Sequence, residues 1–278
     1  MHSNRLSGRR TRGASLQLLH ALFVVLASGL ISNGAWAQPV PLSPAQLDHL
    51  VARIALYPDP LLAQVLTAST FWTQIPEAAV WADQHSYLTG DALATAIRED
   101  NLEWDPSVLA LLPFPSILHM MTSDPAWLEQ LGNAVLTQRA DVMDAIQRMR
   151  RRAMNYGYLQ SSSYINVVPS GNYIEILPAA PGVLYVPDYD PFVVFAPPPA
   201  GFVIGGAIRF GPGIVIGGAF APWGWAAPGF LWSSHAIIID RHPWERLWVN
   251  RGAYLHPYAH PWVRTVGPRI ERHAFGRR

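Results

Sequence analysis

From residue 43 to about 158 the apolar positions recur at helical spacing. Leu47, Leu50, Val51 and Ile54 fall at i, i+3, i+4 and i+7, which places them on one face of a 3.6-residue repeat. Leu61, Leu62, Val65 and Leu66 make a second stripe with the small Ser69. Val142, Ile146, Met149, Ala153 and Tyr156 make a third, stepping alternately by four and three. The stripes are punctuated by Ser43-Pro44, Asp59-Pro60, Asp105-Pro106 and Asp124-Pro125. A Ser or Asp side chain before the first turn accepts an orphaned backbone N–H, and Pro in that turn has no N–H to orphan. The pattern therefore predicts helices starting at 44, 60, 106 and 125, with others near 76–85, 90–99 and 114–122. Seven or so short helices over about 115 residues suffice to bury one core. The remaining face of the third stripe carries Arg139, Arg148, Arg150, Arg151 and Arg152, and a solvated face is the simplest expectation for such a run.

After Ser161-Ser162-Ser163 the period shortens. Tyr164–Val168, Tyr173–Leu177, Val183–Val186 and Phe192–Phe195 are β-rich runs bounded by Pro and Gly, and Pro169-Ser170-Gly171-Asn172 is a strong turn between the first two. A small antiparallel sheet or pair of hairpins is expected, packed on the helices because such a piece is marginal alone. Beyond the stiff Pro197-Pro198-Pro199 lies an apolar stretch in which VIGGA occurs twice, at Val203–Ala207 and Val215–Ala219, around Gly211-Pro212-Gly213. A β-hairpin turning at Gly-Pro-Gly is the favoured reading. A membrane-associated helical pair and a segment ordered only by a partner are the alternatives. Ile237-Ile238-Ile239 reads as one more strand, and the Arg-, His- and Pro-rich remainder as irregular. The fold class is thus mainly α, a multi-helix domain (38–160) followed by a small antiparallel β region (161–200). An apolar Gly/Trp-rich segment (201–232) and a basic Arg/His/aromatic tail (233–278), both partly irregular, come after it.

The first 37 residues have a different grammar. Arg5, Arg9, Arg10 and Arg12 precede the apolar run Leu16–Ile31, and Ala35-Trp36-Ala37 puts small residues where a signal peptidase reads. Charge, oil and small residues in that order form a secretory leader. The apolar run is shorter than the ~20 residues of a spanning helix, so cleavage before Gln38 is expected rather than retention as an anchor. The chain has no Cys, which removes disulfides, thiol nucleophiles and thiolate metal sites. It also has no Lys, since all 20 basic residues are Arg. That excludes a P-loop and Schiff-base chemistry. Residues 38–200 hold 7 Arg against 16 Asp and Glu, whereas residues 201–278 hold 9 Arg against 3. An acidic front and a basic tail result, and the tail suits an acidic envelope partner better than nucleic acid.

Four blocks of sequence resemble those of a bacterial family of unknown function, DUF3300. They are Ile54-Ala55-Leu56-Tyr57-Pro58-Asp59-Pro60-Leu61-Leu62-Ala63-Gln64-Val65-Leu66, Trp104-Asp105-Pro106-Ser107-Val108 with Phe114-Pro115, Ala140–Arg148, and Val183-Leu184-Tyr185-Val186-Pro187-Asp188-Tyr189-Asp190-Pro191. They occur in the family's order and cover roughly 45–195. The resemblance implies a secreted or envelope protein of Gram-negative bacteria and supplies no activity, cofactor or catalytic residue; with the leader, it leads to an expected place in the periplasm or at the outer membrane.

Candidate chemistry is sparse. His256 and His260 have the spacing of a zinc-ligand pair, but Pro257 and Pro261 follow them directly and Asp240 is the only nearby carboxylate. Asp188 and Asp190 lie two apart like paired acids on a strand, yet Pro187 and Pro191 flank them, so a turn with capping aspartates is favoured. Glu99, Asp100, Glu103 and Asp105 sit at a helix end and a helix start, where solvent and capping account for them. No catalytic, cofactor-binding or metal residue is assigned, and no cofactor is implied. The expectation is a non-enzymatic scaffold or adaptor, attached through residues 201–278 to a membrane surface, peptidoglycan or another envelope protein. A hydrolase or lyase acting on an envelope polymer is one alternative. A polysaccharide- or peptide-binding module with a groove lined by Trp72, Trp81, Trp104 or Trp127 is the other.

Overall fold

The computed structural model describes residues 38–199, 206–254 and 256. The leader, residues 200–205 with most of the first VIGGA copy, and His260 lie outside the described residues. The chain is mainly α. Helices α1 (Pro44–Val51), α2 (Asp59–Ser69), α3 (Ile75–Gln84), α4 (Gly90–Glu99), α5 (Pro106–Leu109), α6 (Pro115–Thr122), α7 (Pro125–Thr137) and α8 (Arg139–Asn155) follow one another through short turns. The described residues from Pro39 onward belong to one compact unit.

Local chemistry starts three of these helices as the sequence predicts. Ser43 and Gln46 form a reciprocal capping box on α1. Asp105 accepts from Ser107 N and Asp124 from Trp127 N, so both cap their helices. Asp59 does not. It is the first residue of α2, with Pro58 before it, and makes no cap bond; its carboxylate turns into the core instead. Helix α2 is buried from Leu61 to Ser69, so it is enclosed on every side rather than along one stripe. Helices α5 and α7 and strands β2, β7 and β8, defined below, enclose it. Where α7 crosses α2 there is no room for a side chain. A Cβ on Gly132 would meet the Trp72 ring at 2.8 Å and the Ser69 carbonyl closer still.

Strands β1 (Ile165–Ser170) and β2 (Tyr173–Pro178) form the expected hairpin, turning at Gly171 with φ of 59°. The next strands depart from expectation. The residues on either side of Gly211-Pro212-Gly213 do not pair with each other. Strand β3 (Val183–Leu184) pairs with β6 (Ile214–Val215), and β4 (Pro187–Tyr189) pairs with β5 (Ile208–Phe210), all antiparallel. The registers leave Tyr185 and Val186 opposite Gly211, Pro212 and Gly213, a bulge of one residue. Gly213 is needed there because an added Cβ would lie 2.9 Å from Val183 Cγ1 and 3.0 Å from the Tyr185 ring. Phe192–Phe195 is not a strand either. With Pro191 at its first turn and Asp190 accepting from Phe192 N, the segment winds into the short helix α9 (Pro191–Val194).

The C-terminal segment lies against the helices. A 3-10 segment at Gly218–Trp223 packs on α4 and α5. Strands β7 (Gly229–Leu231), β8 (Ala236–Ile239) and β9 (His242–Pro243) form a three-stranded sheet against α2. Trp223, Trp225, Trp232 and Trp244 are all buried, so these rings belong to the core. Among the described residues no helix is long and apolar enough to cross a membrane.

Candidate functional site

Two carboxylates, the buried Asp59 and the largely buried Asp105, organise the polar interior. Asp59 Oδ1 lies 2.6 Å from Arg150 Nη1 and accepts from Ile176 N, while its Oδ2 accepts from Trp232 Nε1 at 3.0 Å. Arg150 is fully buried. Its remaining donors go to the carbonyls of Ala55, Tyr57 and Ile174 at 2.8–3.0 Å, and its guanidinium sits 5.0 Å from the Trp232 ring centroid. A buried charge pair persists when every donor and lone pair has a partner. This cluster ties α2, α8, the β1–β2 hairpin and the C-terminal segment to one point. The Arg run on α8 is therefore not a uniformly solvated face. Arg139 also departs from it, donating to the carbonyls of Trp244, at 2.8 Å, and Arg246. Burial lowers the Arg139 pKa to about 10, against the raising influence of Tyr254 and Glu245; the group remains protonated at neutral pH.

Asp105 is the second centre. Besides its cap bond it accepts from Ser107 Oγ and lies 2.6 Å from His256 Nε2. Beside it, Arg246 donates to Thr70 O and Oγ1 at 2.7 and 2.8 Å and lies over the Phe71 ring. Ser107, Asp105 and His256 are three groups of hydrolytic chemistry in the wrong order. The serine bonds the acid rather than the imidazole and is fully buried, so no base can deprotonate it toward a substrate.

The accessible concavity lies elsewhere. The Tyr189 hydroxyl donates to Ala52 O at 2.9 Å and accepts from Leu56 N at 3.3 Å, which latches β4 to the α1–α2 turn and sets Asp190-Pro191-Phe192 beside Arg53. Two clefts adjoin there, sharing Arg53, Pro191 and Phe192. One, of about 490 Å³, is lined by Asp48, His49, Met149, Arg152 and Phe195. The other, of about 580 Å³, is lined by Tyr57, Ser116, Met120, Asp188, Asp190 and Pro212. Phe192 stands between them 82 % exposed. The charges are partnered: Asp48 with Arg148 at 2.7 Å, Arg53 with Asp124 at 3.1 Å and Asp188 with Arg209 at 3.1 Å. Burial raises the Tyr57 pKa, with Asp188 adding to it, and burial likewise raises that of Tyr189; both hydroxyls keep their protons. An exposed ring among guanidinium and hydroxyl groups is equipped to hold a ligand, with stacking and hydrogen bonds.

The residues singled out from sequence are dispersed. Asp190 caps α9 and Asp188 pairs across the ladder with Arg209. Asp100 accepts from Trp81 Nε1, Glu99 and Glu103 are exposed, and Asp105 holds His256 as well as its cap. The four helical-domain tryptophans line neither cleft: Trp127 donates to Leu50 O, Trp81 to Asp100, Trp104 to Glu77, and Trp72 packs against the core. Among the described residues no three His, Asp or Glu converge as metal ligands. Arg150 was missed, although a signal existed. Met143, Gln147 and Arg150, spaced by four and three, run parallel to the apolar stripe, and all three are buried.

A helical body, closed by short antiparallel ladders and cross-braced by two carboxylates, defines the class. The chain belongs to the DUF3300 family, described as proteins of unknown function, whose family model matches residues 43–250. It is similar to the uncharacterized protein YacH of Escherichia coli (strain K12), 36 % identical over 203 residues. That match takes in 57 % of this chain and 33 % of YacH, so it spans about a third of the relative's length. No solved structure gives a significant match.

Proposed function

We propose that this protein is an exported scaffold or adaptor of the bacterial envelope, held to its surroundings through its C-terminal part. The carrying observation is where the ionic chemistry is used. Asp59–Arg150 and Asp105–His256 join segments distant in sequence, an arrangement suited to a stiff body that presents surfaces. The leader pattern supports export. The hydrolase alternative finds less support, because both acids are spent on protein donors. The binding-module alternative is favoured by Phe192 and its two clefts. A Phe192→Ala chain that still cosediments with peptidoglycan as the parent does would remove the ring from that role.

Fractionation tests the main reading. Residues 206–256 contribute core tryptophans, so the informative deletion is 257–278 rather than the whole C-terminal part. The parent is expected in the envelope fraction with an N-terminus at Gln38, and the deletion more in the soluble periplasm. Recovery of the parent from the cytosol with Met1–Ala37 attached would overturn the proposal.

A further inference from the structure

One surface feature is left unexplained by core packing. Between β9 and Tyr254 the chain makes a 3-10 turn, Trp248–Asn250, and displays Leu247 and Val249 at 43 % and 85 % exposure with Trp248 half-buried between them. Scattered exposed aliphatics need no explanation, but this turn is built. Asn250 Oδ1 accepts from Leu247 N at 2.6 Å, and its Nδ2 donates to Glu245 O at 2.9 Å. Arg246 Nη2 donates to Arg251 O at 3.1 Å while its Nη1 is anchored on Thr70. Arg251 Nη1 donates to Trp248 O, and the guanidinium lies 3.6 Å from the Trp248 ring centroid. The turn also packs on α7. Its backbone is thus largely satisfied from within, so the apolar tip can leave water without stranding those polar groups.

We propose that Leu247, Trp248 and Val249 form a preorganised insertion tip for an anionic lipid surface. This rests on the envelope reading and names the chemistry of its attachment. Trp flanked by aliphatics and backed by Arg suits the headgroup boundary, where a ring is apolar on its face and polar at its edge. Charge complementarity selects the lipid. Residues 257–278 carry 5 Arg against 1 Glu, and residues 38–200 carry an excess of acid. An anionic bilayer therefore attracts the basic chain that continues from the tip and repels the acidic residues 38–200. A shallow apolar tip and a basic tail are each marginal alone and sufficient together.

The test uses residues 38–278, whose described part holds a core of its own. Sedimentation at 0.1 M salt compares vesicles of phosphatidylglycerol and phosphatidylethanolamine with vesicles of phosphatidylcholine. The parent is expected to sediment with the anionic vesicles only. Leu247→Asp/Val249→Asp is expected to lower the partition coefficient at least tenfold, with the circular dichroism spectrum and melting temperature unchanged. Replacing Arg264, Arg269, Arg272, Arg277 and Arg278 by Gln is expected to lower it as well. Absent binding, equal binding to neutral vesicles, or parent-like binding by the double Asp variant each overturns the proposal. So does self-association that the double variant abolishes while vesicle binding is absent, which would make the tip a contact with a second copy. Envelope fractionation without vesicle binding would sink this inference alone. A cytosolic chain with its leader intact would sink the envelope reading and leave the vesicle result standing.

Discussion

The helical body and the C-terminal segment reach order by different means. In the body, most helices bring a Pro in the first turn and apolar side chains of their own, and the largest packings, α1 on α8, α3 on α6 and α2 on α7, join long elements that bury one another. In the segment from 206 to 256 the strands are two to four residues long, too short to be stable in isolation. Its order is borrowed from the body through Trp225 Nε1 on Ala110 O, Gly224 O on Gln64, Trp232 on Asp59 and Arg246 on Thr70. The difference teaches that a region rich in Gly and Trp need not be an appendage. Here it is the cover that makes α2 a central helix.

Four substitutions would break or sharpen that comparison. The largest effect is expected for Asp59→Ala, which strands Arg150 in the interior and frees Trp232. A loss of about 3–5 kcal/mol is expected, with body and segment melting together in urea; separate transitions would show the two regions to be independent. Arg246→Leu removes bonds to Thr70 and Arg251 and should cost about 1.5–3 kcal/mol. Its effect should be local, seen as faster amide exchange in 236–254 with little change in α1–α8. Asp124→Ala removes a helix cap and the exposed pair with Arg53 and should cost about 1 kcal/mol, most of it from the cap, confined to the body. Val249→Asp, on the exposed tip, should shift stability by no more than about 0.5 kcal/mol; a larger loss would mean that the tip is packed rather than displayed.

The three Asp-Pro pairs of the helical body mark how far sequence carries. The dipeptide is the same at 59, 105 and 124, and helix starts follow from it at all three. At 124 the aspartate caps, at 105 it caps and holds His256, and at 59 it abandons the cap for Arg150. Capping is local and was legible. The other roles depend on partners 91 and 151 residues away, which no spacing rule supplies. The strand pairing failed to emerge for a related reason. The repeated VIGGA and its Gly-Pro-Gly suggested a local turn, but that glycine pair serves a bulge opposite Tyr185 and Val186. The clefts around Phe192 were illegible too. They exist because Tyr189 bonds the α1–α2 turn more than 130 residues upstream.

Two adjacent residues, Gln138 before α8 and Arg139 at its start, help to hold both margins of the described fold. Gln138 accepts from Leu42 N at 2.8 Å, and Arg139 donates to Trp244 O. Tension applied between the entering and leaving chain would load the Leu42–Gln138 bonds at one end and the His256–Asp105 contact at the other first. The entering margin should peel at low force, whereas a pull on the last described residue reaches the start of α5 through Asp105, so only a tether at the entering end is mechanically insulated from the core.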